Sequence, residues 1–404
     1  MDKPRLDEVF SRIDRGAILE MAQKLIRVPS VTGDEREVVE LAEELVRGIG
    51  VETRLYGPPE RPILTAAINP EAERLLVFNG HLDTVPIASR DAWETDPYDP
   101  VVKEGKLYGR GASDMKSSCA VMIHVLGILK EMRLPLSVGV HLVPDEEKGA
   151  THGTRVLLSE IWKGNLRKPD YVVIGEKSDL KVRIAERGGF GFKIRFKGRA
   201  THTAYARVEG VNAIARAAKG VLALEKHIDK FHPWIGSPVL SVNSIQAGTA
   251  SNQVPDECVI GVDRRLIPGE TADTVVTEVK AALDEAGKGD PSWSWEIVAP
   301  KDESGNWVYN PANYTSPDTE LGEAFYAAIP AALAREPEVF VEWAGGTDGA
   351  YYRRAGIQTI GFGPKGEHAH GPNELVYVEN LVDQAKVYIA LAAELARKQP
   401  SPAL

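Results

Sequence analysis

Several stretches of the chain are dominated by apolar residues. The run at 75–78 is uniformly apolar, and residues 136–143, 171–174 and 357–362 follow the same pattern. Strands covered on both faces of a sheet have this composition, whereas half-exposed strands alternate between apolar and polar residues. Between these runs the apolar positions follow helical spacing, as they do at 34–46. The pattern predicts an α/β fold with a mainly parallel sheet.

The middle of the chain has a different pattern, because apolar and polar residues alternate from about Phe190. In chain order it predicts a strand at 189–200, a helix at 210–228, strands at 238–248 and 257–270, a helix at 272–286 and a strand at 292–298. Strands that bury one face and expose the other are typical of an α+β sandwich. We therefore expect an inserted domain at 190–300 within a first domain formed by 1–189 and 301–404.

Composition limits the size of the core, the classes of partner and the cellular compartment that we expect. The 404 residues, of which 43% are hydrophobic, are enough to bury a large core, and we expect two domains. The net charge of -10 disfavours nucleic acid or an anionic membrane as a partner. The two cysteines, Cys119 and Cys258, provide no disulfide framework and favour a reducing compartment. No stretch has the pattern of a signal peptide or a membrane span, so we expect a cytoplasmic protein.

Ionisable residues follow the carboxyl ends of the apolar runs. They are His81, Asp83, Asp145, Glu146, Glu147, Glu176, His368 and His370. The carboxyl ends of parallel strands meet at one edge of an open sheet, so we expect these side chains to converge. Asp114 directly precedes an apolar helix that begins near Met115, and by itself it is best interpreted as the N-cap of that helix.

Each of these signals has a purely structural alternative. The triplet of His81, Leu82 and Asp83 is equally typical of a core histidine paired with an aspartate. Two adjacent glutamates are usually a solvated charged face. Convergence from four separate elements favours a shared function instead. Several carboxylates in one crevice raise each other's pKa values, and a metal ion relieves that repulsion. Imidazole and carboxylate ligands without cysteine favour zinc, cobalt or manganese over calcium.

These residues lie within longer motifs that resemble a known family. The motifs are GHLDTVP at 80–86, LYGRGASDMK at 107–116, PDEEKG at 144–149, GRATHT at 198–203, GTASNQVP at 248–255, DRRLIPGE at 263–270, GGTDG at 345–349 and AHGPNE at 369–374. Their order and spacing resemble the aminoacylase, acetylornithine deacetylase and succinyl-diaminopimelate desuccinylase family of dinuclear metallohydrolases. That family also contains glutamate-releasing carboxypeptidases and dipeptidases. The resemblance extends over nearly the whole chain.

The resemblance implies a site for two divalent metal ions, most often zinc, with cobalt and manganese as alternatives. His81 and Glu176 would bind one ion, and Glu147 and His370 would bind the other. Asp114 would bridge the two ions. The domain formed by 1–189 and 301–404 would then be the metal-binding catalytic domain.

Further roles follow from the same resemblance. Asp83 would orient the imidazole ring of a metal ligand, and Glu146 would be the general base. The Asp114–Met115 peptide bond is expected to be cis. His368 competes with His370 as a ligand, and the H-x-x-N-E spacing favours His370.

The inserted segment is implied to be a dimerisation or lid domain, which predicts a homodimer. His202, Asn252 and Arg265 would reach substrate from this domain, and Gly346 and Thr347 would contact substrate from a loop. The resemblance also implies that His202 serves the metal site of the neighbouring subunit. Without the resemblance, Arg265 is equally well interpreted as a surface ion-pair partner, and His202 as a solvated loop histidine.

These observations predict a metal-dependent hydrolase of an amide bond. The expected substrate is a small N-acyl amino acid or a short peptide with a free carboxylate, as for a deacetylase or desuccinylase. The alternative within enzymes is a dipeptidase or carboxypeptidase, or hydrolysis of another C–N bond at the same metal centre. The alternative outside enzymes is a catalytically silent binding protein on this fold. Retention of Glu146, which the resemblance does not assign to either metal, argues against silence.

Overall fold

A computed structural model describes residues 6–340 and 345–397 of the chain. Its α-helices are α1 (Leu6–Phe10), α2 (Arg15–Arg27), α3 (Arg36–Gly48), α4 (Lys116–Met132), α5 (Thr154–Trp162), α6 (Ala213–Leu224), α7 (Ala272–Ala286), α8 (Glu320–Leu333), α9 (Gly349–Arg354) and α10 (Val378–Arg397). Its strands are β1 (Thr53–Tyr56), β2 (Ile63–Ile68), β3 (Leu75–His81), β4 (Val101–Lys103), β5 (Lys106–Tyr108), β6 (Ser137–Val143), β7 (Tyr171–Ile174), β8 (Ala185–Glu186), β9 (Gly188–Lys197), β10 (Val239–Ala247), β11 (Glu257–Leu266), β12 (Trp295–Val298), β13 (Asn313–Tyr314), β14 (Gln358–Gly361), β15 (Gly366–Glu367) and β16 (Leu375–Tyr377).

Among the described residues, the first compact unit contains Leu6–Ile184, Tyr314–Phe340 and Thr347–Arg397. Its six-stranded sheet has the order β1-β2-β6-β3-β7-β14. Strands β6, β3, β7 and β14 are parallel to one another, and they correspond to the four apolar runs. β1 and β2 add an antiparallel edge. The prediction of an α/β fold with a mainly parallel sheet is confirmed.

The central strands are apolar because helices cover the sheet. All seven residues of β3 and all seven of β6 are buried. Helix α4 packs against both strands, while α5 and α9 supply Leu158, Ile161 and Tyr352 to a cluster with Leu75 and Val77 of β3. Burial on both sides removes the selection for alternating polar residues, which explains the continuous apolar pattern.

A smaller antiparallel sheet in the first unit has the order β15-β16-β5-β4. In it, β16 pairs with β5, with Leu375 opposite Tyr108 and Val376 opposite Leu107. The loop that follows β5 leads to Asp114, and the loop between β15 and β16 contains His370. The small sheet therefore holds two chain segments together that are far apart in sequence.

The second compact unit is built mainly from Ala185–Asn313. Its sheet has the order β10-β11-β9-β12, and all pairs are antiparallel. Phe190, Phe192, Ile194 and Phe196 of β9 are buried while the residues between them are more exposed, which is the alternation that the sequence indicates. Residues from α6 and α7 complete the same core.

The second unit extends beyond 190–300 at both ends. Gly189 and Asn310 exchange backbone hydrogen bonds at 2.8 and 2.9 Å. Trp307 and Tyr309 pack against the core of the unit. Aromatic burial thus ties residues after 300 to this unit, although the sequence there has the polar composition of a connecting loop.

Candidate metal centre

Three parallel strands of the first unit deliver side chains to one cluster. β3 ends at His81, which is 1% exposed. β6 is followed by a short 3-10 turn at Glu146–Lys148, and β7 is followed by the buried Glu176. The convergence occurs at the carboxyl edge of the sheet, where strand ends leave room for polar groups.

Asp114 lies between two imidazole rings. Its Oδ1 atom is 2.9 Å from Nε2 of His81, and its Oδ2 atom is 3.2 Å from Nε2 of His370. His81 Nε2 is also 3.2 Å from Glu176 Oε1, and His370 Nε2 is 3.0 Å from Glu147 Oε2. The five side chains therefore form two adjoining groups that share Asp114.

The interpretation of Asp114 as an N-cap is wrong. Helix α4 begins at Lys116, its N-cap position is Met115, and no side chain caps it. The Asp114–Met115 peptide bond is cis, as expected from the family resemblance. The carboxylate of Asp114 lies in the cluster, and its backbone N–H is bound to Glu374.

Glu374 fixes the loop that carries Asp114. Its buried carboxylate accepts hydrogen bonds from the backbone N–H groups of Gly111, Ser113 and Asp114 at 2.9–3.0 Å. It also accepts a hydrogen bond of 2.6 Å from Arg110. Arg110 in turn donates to the carbonyl oxygen of His370 at 3.3 Å. One buried ion pair thus ties the two loops of the small sheet to the cluster.

Asp83 stabilises the cluster through hydrogen bonds with the residues around it. Its carboxylate accepts hydrogen bonds from the hydroxyl of Thr32 at 2.8 Å and from the backbone N–H groups of Glu146 and Glu147 at 3.1 and 3.3 Å. His81 Nδ1 is 2.9 Å from the Asp83 carbonyl oxygen and 3.5 Å from its carboxylate. Burial alone would raise the pKa of Asp83, but the hydrogen bonds from His81 and Thr32 outweigh it and lower that pKa.

The cluster contains more carboxylates than neighbouring cations. Loss of water around Glu146 raises the pKa of its carboxyl well above the usual value, and the negative charges of Glu176 and Asp348 act in the same direction. Burial likewise raises the pKa of Glu176, with a further contribution from Asp114. Burial raises the pKa of Asp348 to about 7. In all three cases burial is the largest cause, and the neighbouring carboxylates add to it.

This set of donors fits divalent metal ions. The ligand atoms of His81, Asp114 and Glu147 lie within 4.8 Å of one another, and those of His81, Glu146 and Glu176 do so as well. Nitrogen and oxygen ligands at about 2.0–2.2 Å from a tetrahedral ion are about 3.4 Å apart, close to the spacing within the cluster. Positive charge at this point would also relieve the repulsion among the carboxylates.

Two residues of the predicted cluster do not face it. Asp145 pairs with Arg61 at 2.8 Å and accepts a hydrogen bond from the backbone of His152. His368 and His370 are both exposed, but only His370 contacts the cluster among the residues that the structure describes. Asp145 anchors the turn that presents the two glutamates, a role that the acidic run in the sequence does not reveal.

The remaining predicted residues lie in other parts of the chain. In the second unit, the exposed His202 forms an isolated bridge with Gln253, and the carbonyl oxygen of the neighbouring Asn252 accepts a hydrogen bond from the backbone N–H of Thr203 at 3.0 Å. Arg265 of β11 pairs with Asp263 at 2.8 Å. Gly346 is exposed, while Thr347 is buried and its hydroxyl accepts a hydrogen bond from Gly349 at 3.1 Å.

Sequence reasoning missed Asp348 and the role of Glu374. Asp348 is 2% exposed, accepts a hydrogen bond of 2.7 Å from Thr154, and has a second carboxylate oxygen without a hydrogen-bond partner in the described part of the chain. The motif GGTDG, which contains Asp348, did not indicate that this carboxyl group is buried. Glu374 ends the H-x-x-N-E motif, which signalled a ligand but not a loop anchor.

A mainly parallel sheet with imidazole and carboxylate donors at its carboxyl edge is the arrangement of an α/β metallohydrolase. The chain belongs to Peptidase family M20/M25/M40, whose sequence pattern matches residues 77–394. It is therefore a metallohydrolase that acts on amide or peptide bonds. The predicted family and the prediction of an enzyme are confirmed.

Sequence relatives align along nearly the whole chain. The succinyl-diaminopimelate desuccinylase of Methylobacillus flagellatus is 31% identical over 382 residues, covering 92% of this chain and 96% of that protein. The enzyme of the same name from Methylococcus capsulatus is 30% identical over 389 residues, covering 93% of this chain and 98% of that protein.

Solved structures share the fold. The aminopeptidase PepT of Bacillus cereus has a TM-score of 0.75 at 19% identity, covering 96% of this chain and all of that chain. Human carnosine dipeptidase 1 has a TM-score of 0.71 at 18% identity, covering 98% of this chain and all of that chain. The YXEP protein of Bacillus subtilis, a dinuclear metal-binding peptidase, has a TM-score of 0.68 at 20% identity, covering 96% and 98% of the two chains. Among the described helices of our protein, none has the length and apolar character needed to cross a membrane.

Proposed function

We propose that the protein hydrolyses the amide bond of an N-acyl amino acid, with an N-succinyl amino acid as the leading substrate class. The observation that carries this proposal is the position of Asp114, with each carboxylate oxygen near a different histidine. The sequence relatives that cover more than nine-tenths of the chain are named as desuccinylases, which supports the choice of acyl group.

The proposed site binds two divalent ions, with His81 and Glu176 at one, Glu147 and His370 at the other, and Asp114 between them. Zinc is the preferred metal, and cobalt and manganese suit the same ligands. Bound ions of this kind supply an acidified water and polarise the carbonyl group of the substrate. The dinuclear site named for the Bacillus subtilis structure supports two ions rather than one.

Glu146 is the proposed general base. Its carboxylate lies in the group formed with His81 and Glu176, so it can take a proton from a water at the cluster and return that proton to the departing amine. The backbone N–H of Glu146 donates a hydrogen bond of 3.1 Å to the carboxylate of Asp83. This bond positions Glu146 relative to the imidazole ring of His81. Asp83 thereby positions both the base and a metal ligand.

Substrate recognition is assigned to the second unit and to one loop of the chain. Arg265 carries an exposed guanidinium that suits a substrate carboxylate, and Asn252 offers an amide. His202 is a candidate donor to the oxygen that becomes negative as the amide is attacked. Gly346 and Thr347 are the proposed contacts from the loop.

We also propose a homodimer that forms through the second unit. β10 is an edge strand, and Val239 and Ile245 on it are 51% and 52% exposed. An exposed edge strand offers unpaired N–H and C=O groups to another chain. In such a dimer His202 acts on the metal site of its partner. The two cysteines are both free and buried, which fits a reducing, cytoplasmic compartment.

A dipeptidase or carboxypeptidase is the second candidate, because the structural relatives include peptidases. A direct test uses the protein loaded with zinc, cobalt or manganese and assays N-succinyl, N-acetyl and N-formyl amino acids beside a panel of dipeptides. The proposal expects the highest kcat/KM for an acylated amino acid. A higher value for dipeptides would replace it with the second candidate, and absence of turnover on every substrate would contradict both.

A further inference from the structure

A groove of about 610 Å³ lies along one edge of the antiparallel sheet in the second unit. One wall is the edge strand β12 with Trp293 just before it, and the other wall is a face of helix α7 formed by Val276, Lys280 and Asp284. These three residues are four positions apart, so they lie in a row along the helix. Trp307 also lines the groove. None of the residues assigned to the metals or to the substrate does so.

The outer edge of β12 has free backbone groups. In the sheet order β10-β11-β9-β12, β12 pairs only with β9. The carbonyl oxygen of Ser294 accepts a hydrogen bond from the backbone N–H of Lys197 at 2.9 Å. Antiparallel pairing alternates along a strand, so Glu296 also faces β9, whereas the N–H and C=O groups of Trp295 and Ile297 point to the outer edge. Free groups of this kind are the template for an added strand.

Trp293 defines how the helix and the strand are aligned along the groove. Its indole ring packs directly over Gly287, the C-cap of α7, where an added Cβ atom would lie 2.2 Å from the ring. Asp284 is therefore at the Trp293 end of the groove. Lys280 lies one helical turn further along, and Val276 lies two turns further along, toward Ile297.

Three of the chain's seven tryptophans line this groove. Trp293, Trp295 and Trp307 pack against the core of the unit and remain only partly buried. The indole N–H of Trp293 is buried and has no hydrogen-bond acceptor among the described residues. A buried donor of this kind calls for an acceptor. A polypeptide in the groove supplies one carbonyl oxygen per residue.

The charges of the groove are arranged for an extended chain. Lys280 and Asp284 are exposed, and neither makes an ion pair or hydrogen bond with any residue that the structure describes. Glu296, the other charged residue of the lining, already pairs with Arg195 and Lys197. One helical turn is about 5.4 Å, close to the ~6.8 Å between alternate residues of a strand. An acidic and a basic residue two positions apart in a strand therefore match the two free charges.

We propose that this groove binds an extended peptide segment of another protein, which adds to β12 as an antiparallel strand. Its backbone pairs with Trp295 and Ile297, as in other cases of strand addition to a sheet edge. An acidic residue opposite Ile297 contacts Lys280, and a basic residue opposite Trp295 contacts Asp284. Antiparallel addition continues the pattern of the sheet and sets the order, with the acidic residue before the basic one. Binding does not depend on the proposed hydrolase function.

Binding is tested by calorimetry on the metal-loaded protein with the blocked heptapeptide SVEVKVS as the probe. We expect saturable binding. The composition-matched peptide SVKVEVS should bind at least tenfold more weakly, because its charges face like charges. N-methylation of the glutamate and lysine of SVEVKVS removes the two donors to β12 and should weaken binding at least tenfold as well. Absence of binding by SVEVKVS, or equal binding by the three peptides, overturns the proposal.

The position of the peptide is tested with charge-reversed variants. Lys280→Glu combined with Asp284→Lys should prefer SVKVEVS, whereas Lys219→Glu, at an exposed position of α6, should keep the preference for SVEVKVS. Hydrogen exchange at the amides of Trp295 and Ile297 should slow at least tenfold in the complex. An unchanged preference in the double variant, or unchanged exchange, places the peptide elsewhere and overturns the site.

Sedimentation of the free protein tests another copy of the chain as the occupant. We expect no assembly larger than a dimer. A larger assembly that SVEVKVS dissociates would assign the edge of β12 to a second copy and overturn the proposal. Failure of the proposed hydrolase activity would leave the results of calorimetry and hydrogen exchange standing.

Discussion

Glu146 and Glu147 are adjacent in sequence but differ in their contacts. Glu147 is 3.0 Å from His370, whereas Glu146 is grouped with His81 and Glu176. We predict that Glu146→Gln keeps its metal content and loses turnover by at least about 100-fold, since an amide cannot accept the proton. Glu147→Gln should lose metal as well. Metal analysis beside steady-state kinetics measures both effects, and a Glu146→Gln variant that retains most of its rate would rule out this base.

His370 predicts a pH dependence of stability in the metal-free protein. Hydrogen bonds with Asp114 and Glu147 raise the pKa of His370 to about 10. Because an unfolded histidine titrates near about 6.5, the charged ring stabilises the fold fully below that pH, and the contribution disappears as pH rises through about 10.

Denaturant unfolding of the chelated protein between pH 6 and pH 10 measures this contribution. The difference in unfolding free energy between the wild type and His370→Asn should be largest at the acidic end and shrink as pH rises. A difference that stays constant over this range would show that protonation of His370 does not support the metal-free fold.

Sequence patterns found the residues of the cluster but not every contact. His81 and Glu176 were predictable because apolar strands end beside them. For Asp114 the local pattern favoured a helix cap, and only the family resemblance implied its place between the two metal ions. Asp348 gave no signal, because its environment depends on Thr154, which is 194 residues away in sequence.

At the scale of secondary structure, the ion pair of Arg110 and Glu374 is expected to control the position of Asp114. Both side chains are nearly fully buried, and Glu374 binds three backbone N–H groups. Glu374→Gln leaves Arg110 as an uncompensated buried charge, which costs about 3 kcal/mol of unfolding free energy. We also predict weaker metal binding, because the loop of Asp114 loses its anchor.

Chemical denaturation and metal titration measure these two effects. The control is Asp96→Asn, which breaks the exposed pair of Asp96 with Arg90 and should change stability by less than about 1 kcal/mol. Equal stability losses in Glu374→Gln and Asp96→Asn would contradict the proposed role of the buried pair.

The elements that sequence predicted best are the ones whose pattern is local. Continuous apolar runs identified β3, β6, β7 and β14, and alternation identified β9. The small sheet escaped prediction because β5 and β16 are short strands that gain their stability from pairing across more than 260 residues of chain. The attachment of residues after 300 to the second unit depends on aromatic burial that the polar loop composition conceals.

At the scale of the whole molecule, the proposed dimer predicts complementation. Homodimers of Glu146→Ala and of His202→Ala should both be inactive. A mixed dimer has one intact site, which combines Glu146 of one chain with His202 of the other. Random reassortment makes half of the dimers mixed, so recovered activity should approach about a quarter of the wild type.

Turnover after co-expression of the two variants is the measurement, with each variant alone as the control. Mass measurement must establish that mixed dimers have formed. If they have formed and activity does not recover, His202 serves its own chain or has no part in the reaction.

We propose that two divalent ions at His81, Asp114, Glu147, Glu176 and His370 make the chain an amide hydrolase. The most direct measurement is a titration of the exhaustively chelated protein with zinc, in which bound metal per chain and hydrolysis of an N-succinyl amino acid are followed together. We predict no turnover without metal and full turnover at two bound ions per chain. Asp114→Asn should bind fewer than two ions per chain and should not reach full turnover. Turnover that survives complete removal of metal would contradict a metal-dependent hydrolysis.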